Sequence, residues 1–387
     1  MSEAFEKVDQ LLREATEAQD PPGAVLLVGE GGNIRHLTAQ GQASVALAAR
    51  GKGKETRPAV EASPMKTDTL FDVASITKAI VSVMLMRLQD AGKLSLDDPV
   101  SKYFTHYQWG DKAKVTLRHL TSHTAGLRAW QPYYEEARTW ANREKRRFDS
   151  DPSVRRVIFA LAEAEPLLHA PEQIELYSDL GYILLTHCIE LVTDSLLDDA
   201  LEQTVTGPLG IAGAMMFRRL DKEHADKDRS IAATLDCPWR NAVLRGAVHD
   251  DNAYVMRGVS AHAGVFATAE ALFTLTERVA ACWRGEDDFI KQATAQAFLK
   301  RQTITEKGSR TVGGWDSPAP QGSMAGTKFG PETVGHLGFT GCSQWMDLQS
   351  RRNVILLTNR IHPTLDKEEG IKHLRPAVHD AVHGALG

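Results

Sequence analysis

The chain has 387 residues, enough for two or three folding units of ordinary size, which excludes a small stapled scaffold. Hydrophobic residues make up 42% and charged residues 25%, so a disordered chain is excluded as well. The 45 basic and 50 acidic residues leave a formal charge of −5, and no global positive field gathers nucleic acid or anionic lipid.

The N-terminal stretch from Met1 to Asp20 is acidic and amphipathic, without the basic start, apolar run and small-residue cleavage site of a secretory signal. No uncharged apolar segment approaches the roughly 20 residues of a membrane helix. The expectation is a cytoplasmic protein with no membrane partner. Ala24 to Val28 and Ile34 to Ala39 flank a Gly-rich turn and predict a hairpin. Residues 49–66 mix Gly, Pro and charge without periodicity and predict a mobile surface loop.

From Ser75 the run ITKAIVSVMLM is apolar on more than one face and predicts a buried helix that Gly92 ends. Helical periodicity recurs at Asp151 to Glu163 and Leu180 to Val192. Strands follow at Thr333 to Phe339, Cys342 to Asp347 and Asn353 to Thr358, with a closing helix from about Glu369. Strands near both ends with helices between them predict an α/β (α+β) fold, its antiparallel sheet built from both termini. The expected division is residues 1–78 with 270–387 as the α/β domain and 79–269 as a mostly helical insertion, with the cleft between them. The four cysteines, Cys188, Cys237, Cys282 and Cys342, have no C-x-x-C spacing and read as free thiols.

The strongest chemical candidate is Ser75-Ile76-Thr77-Lys78 at the start of the buried helix. One turn brings both polar side chains to one face, and a hydroxyl needs a nearby base before it can attack. Ser63-Pro64-Met65-Lys66 has the same spacing, but lies in the charged loop and is rejected.

With TLRHLTSHTAGL, ELYSDLGYILL, GAVHDDNA, SAHAGVFATAE, GHLGFTG and LTNRIHP following in order, the chain resembles the superfamily of serine beta-lactamases, penicillin-binding proteins and family VIII carboxylesterases, in its class C and esterase branch. The resemblance implies a beta-lactamase/transpeptidase-like fold and a cofactor-free acyl-enzyme hydrolase. Ser75 is then the nucleophile, Lys78 its partner, and Tyr177, in the place of the Tyr-x-Asn motif, the group that shares the proton. The asparagine of that motif is replaced by Asp179, which cannot donate when ionised and is expected to keep Lys78 protonated. Lys-Thr-Gly is replaced by His336-Leu337-Gly338, so a neutral imidazole stands where a lysine would bind a carboxylate. The backbone N–H groups of Ser75 and Phe339 are the implied oxyanion hole, and Gly338 lets substrate approach the strand.

Trp130 is a candidate for substrate binding. His119 and His123, four apart, have no evident third metal ligand, and no metal is expected. The resemblance gives His249, Asp250 and Asp251 a bracing role near the cleft. The basic stretch from Arg143 to Arg147 reads as a solvated face. The expected substrate is a short-chain ester, with an amide or D-amino-acid peptide of cell-wall fragments, or weak beta-lactam hydrolysis, as the alternative. An acyltransferase and a ligand sensor without turnover also stay open.

Overall fold

The computed structural model describes residues 3–51, 56–224, 229–302, 310–366 and 368–387. On strand β1 (Gly23–Glu30), Val25 and Leu27 face one way, Ala24, Leu26 and Val28 the other, and all five are fully buried. A strand apolar on both sides belongs inside a sheet covered on both faces. It turns through Gly31 and Gly32, both at positive φ, into β2 (Asn33–Ser44), and its other edge pairs with β11 (Arg352–Thr358) from the far end of the chain. The six-stranded antiparallel sheet runs β3 (Ser63–Pro64), β2, β1, β11, β10 (Ser343–Asp347), β9 (Thr333–Leu337).

Helices α1 (Glu6–Glu17) and α11 (Glu369–Leu386) cover one face, where Val8, Leu12, Ile371, Val378 and Val382 meet Leu26, Val28 and Leu356. Leu272, Phe273 and Val279 of α9 (Ala269–Arg284) cover the other. Burying each such side chain stabilises by about 1.5–3 kcal/mol. Beyond that layer lies α2 (Ile76–Asp90), buried continuously from Ile76 to Met86, as its unbroken apolar run predicts. Gly92 adopts φ +68 just after its end.

Between the two halves of the sheet come α3 (Leu117–Thr121), α4 (Tyr133–Arg143), α5 (Pro152–Ala164), α6 (Asp179–Thr193), α7 (Leu197–Leu201) and α8 (Asp251–Val255), with α10 (Gln292–Leu299) after α9. This stretch also holds strands, which the sequence reading missed. β4 (Phe71–Asp72), β8 (Val265–Ala267) and β5 (Met215–Phe217) form a small sheet, and β6 (Ala233–Cys237) pairs with β7 (Ala242–Arg245). Elements of two to five residues are too short to show alternation.

Residues 49–66 differ from the predicted loop, although 52–55 lie outside the described residues. β3 pairs with β2, backbone bridges join Leu47 to Val60 and Arg50 to Arg57, and buried Arg57 donates to the carbonyls of Ala48 and Pro58. Its charge is met by Asp236 at 3.1 Å, a partner too distant in sequence to be anticipated. The third-motif strand also stops at Leu337, leaving Gly338 and Phe339 in the turn beyond it. No single helix among the described residues is long and apolar enough to cross a membrane. All four cysteines are buried and free.

Candidate active site

Two residues from β4, the chain bends sharply into α2. Ala74 adopts φ +48, a left-handed conformation that costs a residue with a Cβ of order 1 kcal/mol or more. The Asp72 carboxylate holds it there: Oδ1 accepts from the Ala74 N–H at 2.9 Å, and Oδ2 accepts from the His249 N–H at 2.7 Å. Burial of Asp72 pushes its pKa up to about 6 against those two hydrogen bonds. Ser75 follows at the N-terminus of α2, with Lys78 one turn on.

Lys78 is fully buried. Its Nζ donates to Ser75 Oγ at 3.1 Å and to the His262 carbonyl at 2.9 Å, and it meets Asp179 Oδ1 at 2.7 Å. Burial alone would push the amine toward neutrality, but the Asp179 carboxylate and the adjacent Tyr177 hydroxyl outweigh it and hold Lys78 above its usual pKa. The amine next to the Ser75 hydroxyl is therefore an ammonium.

Tyr177 precedes α6 in an extended segment. His123, itself at φ +62, holds that segment in place: its Nδ1 accepts from the Ser178 N–H at 3.0 Å and its carbonyl accepts from the Leu176 N–H at 2.9 Å. The His123 ring packs against Tyr177 at 4.5 Å between centroids. The tyrosine ring is flanked by two cations, Lys78 Nζ at 4.8 Å from its centroid and the Arg310 guanidinium at 4.7 Å. Arg310 also lies 3.9 Å from Glu175 and 3.7 Å from Asp316. Sequence reasoning missed Arg310, because an arginine after a polar, aperiodic stretch gives no signal of where it points.

His336, at the third-motif position on β9, is buried beside Tyr177 with ring centroids 6.3 Å apart. Its Nδ1–H donates to the Leu337 carbonyl at 2.8 Å, which leaves Nε2 as the lone-pair nitrogen, with no partner among the described residues. Burial, with Arg310 and Lys78 adding to it, holds the ring well below the usual imidazole range, so it is neutral. At Gly338 a Cβ would lie 2.6 Å from the Val73 carbonyl, so only glycine lets the turn approach the segment before Ser75 this closely. Thr340 Oγ1 ties the same turn to the Asp72 carbonyl at 2.8 Å. Neither the Ser75 nor the Phe339 backbone N–H donates to an acceptor among the described residues, which leaves both available to a ligand oxygen.

The Ser75 side chain opens on two recesses. One, of about 360 Å³, is lined by Trp130, Asp179, His249, Asp250, His262 and Phe339; Trp130 stands half-exposed at its rim. The other, of about 420 Å³, includes Arg310, Asp316, His336, Gly338 and Phe339. Every candidate site residue of the sequence analysis thus lines one recess or touches a residue that does. His119 instead forms a capping box with Thr116 and bonds Glu172 at 3.0 Å, and no cluster that could hold a metal ion occurs among the described residues. Arg143, Arg146 and Arg147 are exposed and paired to neighbouring acids.

Residues 8–378 match the family Beta-lactamase. The chain belongs to the beta-lactamase family. It is 29% identical to a protein of Escherichia coli O157:H7 named "Putative D-alanyl-D-alanine carboxypeptidase", over 94% of this chain and 85% of that one. It is 31% identical to an N-acetylmuramyl-L-alanine amidase of Bacillus subtilis (strain 168), over 94% of this chain and 82% of the other. Among solved structures, EstCE1, described as a hydrolase with promiscuous acyltransferase activity, shares the fold with a TM-score of 0.72 at 22% identity over 98% of both chains. As a member of this family the protein is a beta-lactamase-like serine hydrolase.

Proposed function

We propose that this family member hydrolyses an amide bond in small peptide-bearing fragments of the cell wall, through an acyl-enzyme on Ser75. The reading is carried by one observation: Ser75 Oγ lies 3.1 Å from the ammonium of Lys78, beside Tyr177 and two free backbone N–H groups. Because Asp179 keeps Lys78 charged, the ammonium serves to stabilise a phenolate, and Tyr177 is the base. As Ser75 Oγ bonds to the substrate carbonyl carbon, its proton passes to the Tyr177 oxygen, and the oxyanion accepts from the N–H groups of Ser75 and Phe339. The C–N bond breaks as Tyr177 returns the proton to the leaving nitrogen. Water then attacks the ester carbonyl, gives a proton to Tyr177, and Ser75 leaves with it.

The amide is preferred over the short-chain ester for two reasons. The preference for an uncharged ester came from the missing third-motif lysine, and Arg310 places a cation in the recess next to His336, where a substrate carboxylate would meet it. The N-acetylmuramyl-L-alanine amidase is also a relative across nearly the whole chain. The apolar Trp130 and Phe339 at the mouth favour ester hydrolysis as a second reading.

Intact-mass analysis with p-nitrophenyl butyrate, muropeptides and a beta-lactam tests both. The expected result is an acyl adduct on Ser75, lost in Ser75→Ala, with muropeptide cleaved at a higher kcat/KM than the unactivated ethyl ester of the same acyl group. Adducts on another residue would overturn the nucleophile, and an ester preference would overturn the amide.

A further inference from the structure

His249 sits in the Trp130 recess with its main chain pinned on both sides. Its N–H is held by Asp72 Oδ2 at 2.7 Å, and its carbonyl accepts from Arg240 at 2.9 Å. The ring stacks on Phe339 at 5.4 Å between centroids, 25° from parallel. The same Asp72 carboxylate holds the Ala74 N–H through its other oxygen, so one side chain fixes His249 relative to the residue before the nucleophile. Each neighbouring acid is already engaged: Asp250 with His262 at 2.8 Å, Asp251 with Arg240, and Asp179 with Lys78 at 2.7 Å. Neither ring nitrogen of His249 has a hydrogen-bond partner among the described residues, although the ring lines the recess beside Ser75.

Burial pushes the His249 pKa down to about 4, so at neutral pH the ring offers one N–H donor and one lone pair. Asp179, on the same recess, is a carboxylate committed to Lys78 and offers no donor. Ser75 and Tyr177 on the same recess are taken up by the reaction, and both ring nitrogens of His262 are engaged by Ser260 and Asp250, which leaves His249 as the neutral donor–acceptor side chain open to substrate among the described residues.

Resting on the acyl-enzyme reading of Ser75, we propose that His249 is the specificity residue of the Trp130 recess and hydrogen-bonds an acylamino group on the acyl part of the substrate. A backbone held at both ends and a stacked ring leave little entropy to lose when the bond forms. The substrate class is thus an N-acylated amino acid or peptide, attacked at its carbonyl carbon, rather than a plain acyl chain.

Two activated esters with the same leaving group and similar length separate the alternatives: the 4-nitrophenyl esters of N-acetylglycine and of pentanoic acid. The wild-type enzyme is expected to prefer the first. In His249→Phe the ratio of the two kcat/KM values should fall about 10-fold, the worth of a lost neutral hydrogen bond at a desolvated site. His249→Gln, which keeps a donor and an acceptor, should recover most of it; His249→Ala carries the same expectation as the phenylalanine if the larger ring is not accommodated. A ratio that does not move in these variants, because neither rate or both rates fall, would overturn the assignment, as would a wild-type enzyme with no preference. Failure of the wild type to turn over either ester would overturn the Ser75 reading first.

Discussion

Asp179 Oδ1 lies 2.7 Å from Lys78 Nζ, nearer than the 3.1 Å between that ammonium and Ser75 Oγ. The closest partner of the lysine is a carboxylate, so its charge is fixed before substrate arrives. Asp179→Asn removes the attraction that outweighs burial, and the pKa of Lys78 falls. The ammonium is then lost at lower pH, and the alkaline limb of kcat/KM should move down in pH relative to wild type. A limb that stays in place would show that Lys78 does not need its charge.

If Tyr177 moves the proton, Tyr177→Phe should slow acylation by at least about 100-fold while substrate binding persists. Stopped-flow release of p-nitrophenol measures it directly. A rate within a few-fold of wild type would remove Tyr177 from the proton path.

Arg310 lies 4.7 Å from the Tyr177 ring centroid, a cation–π contact that holds the ring beside Lys78. Arg310→Gln should lower kcat at neutral pH about 10-fold, about 1.4 kcal/mol of barrier, as that contact is lost. Arg310→Lys should restore most of the activity. An equal loss in both variants would show that the contact does not depend on the cation.

Asp72 makes a prediction about stability with a definite sign. Its pKa in the folded chain is raised from 3.8 to about 6, so between these values the native state binds more protons than the unfolded state. Its contribution is greatest below the unfolded pKa and is lost as pH rises through about 6, a change of order 3 kcal/mol. Asp72→Asn lacks this titration. The Tm of the variant relative to wild type should therefore improve by a few degrees between pH 5 and pH 8. Activity should fall at both pH values, since an amide has one acceptor oxygen for the two N–H groups of Ala74 and His249.

Much of the site was legible in the sequence because it is local. Ser75 and Lys78 are one helical turn apart, and the continuous apolar run behind them requires a buried helix whatever the rest of the chain does. The β1–β2 hairpin follows from two strand-forming runs around turn glycines, and β9 to β11 from the strand-forming runs near the C-terminus. Arg57 and the short strands β4 to β8 were not legible, since segments of a few residues have no period and their partners lie far along the chain.

By itself, the sequence determined the Ser75–Lys78 pair at the head of a buried helix, the Tyr177–Asp179 pair, and the sheet assembled from both ends. Tertiary structure alone decided that Arg310 stacks on Tyr177, and that the His249 ring nitrogens and the backbone N–H groups of Ser75 and Phe339 have no partner among the described residues. The physical reason is that these depend on loops fixed by long-range contacts. Asp72 bridges two segments with one carboxylate, Ala74 and His123 hold left-handed backbones, and Gly338 allows a contact no Cβ would fit. Such constraints act through space and leave no periodic trace along the chain.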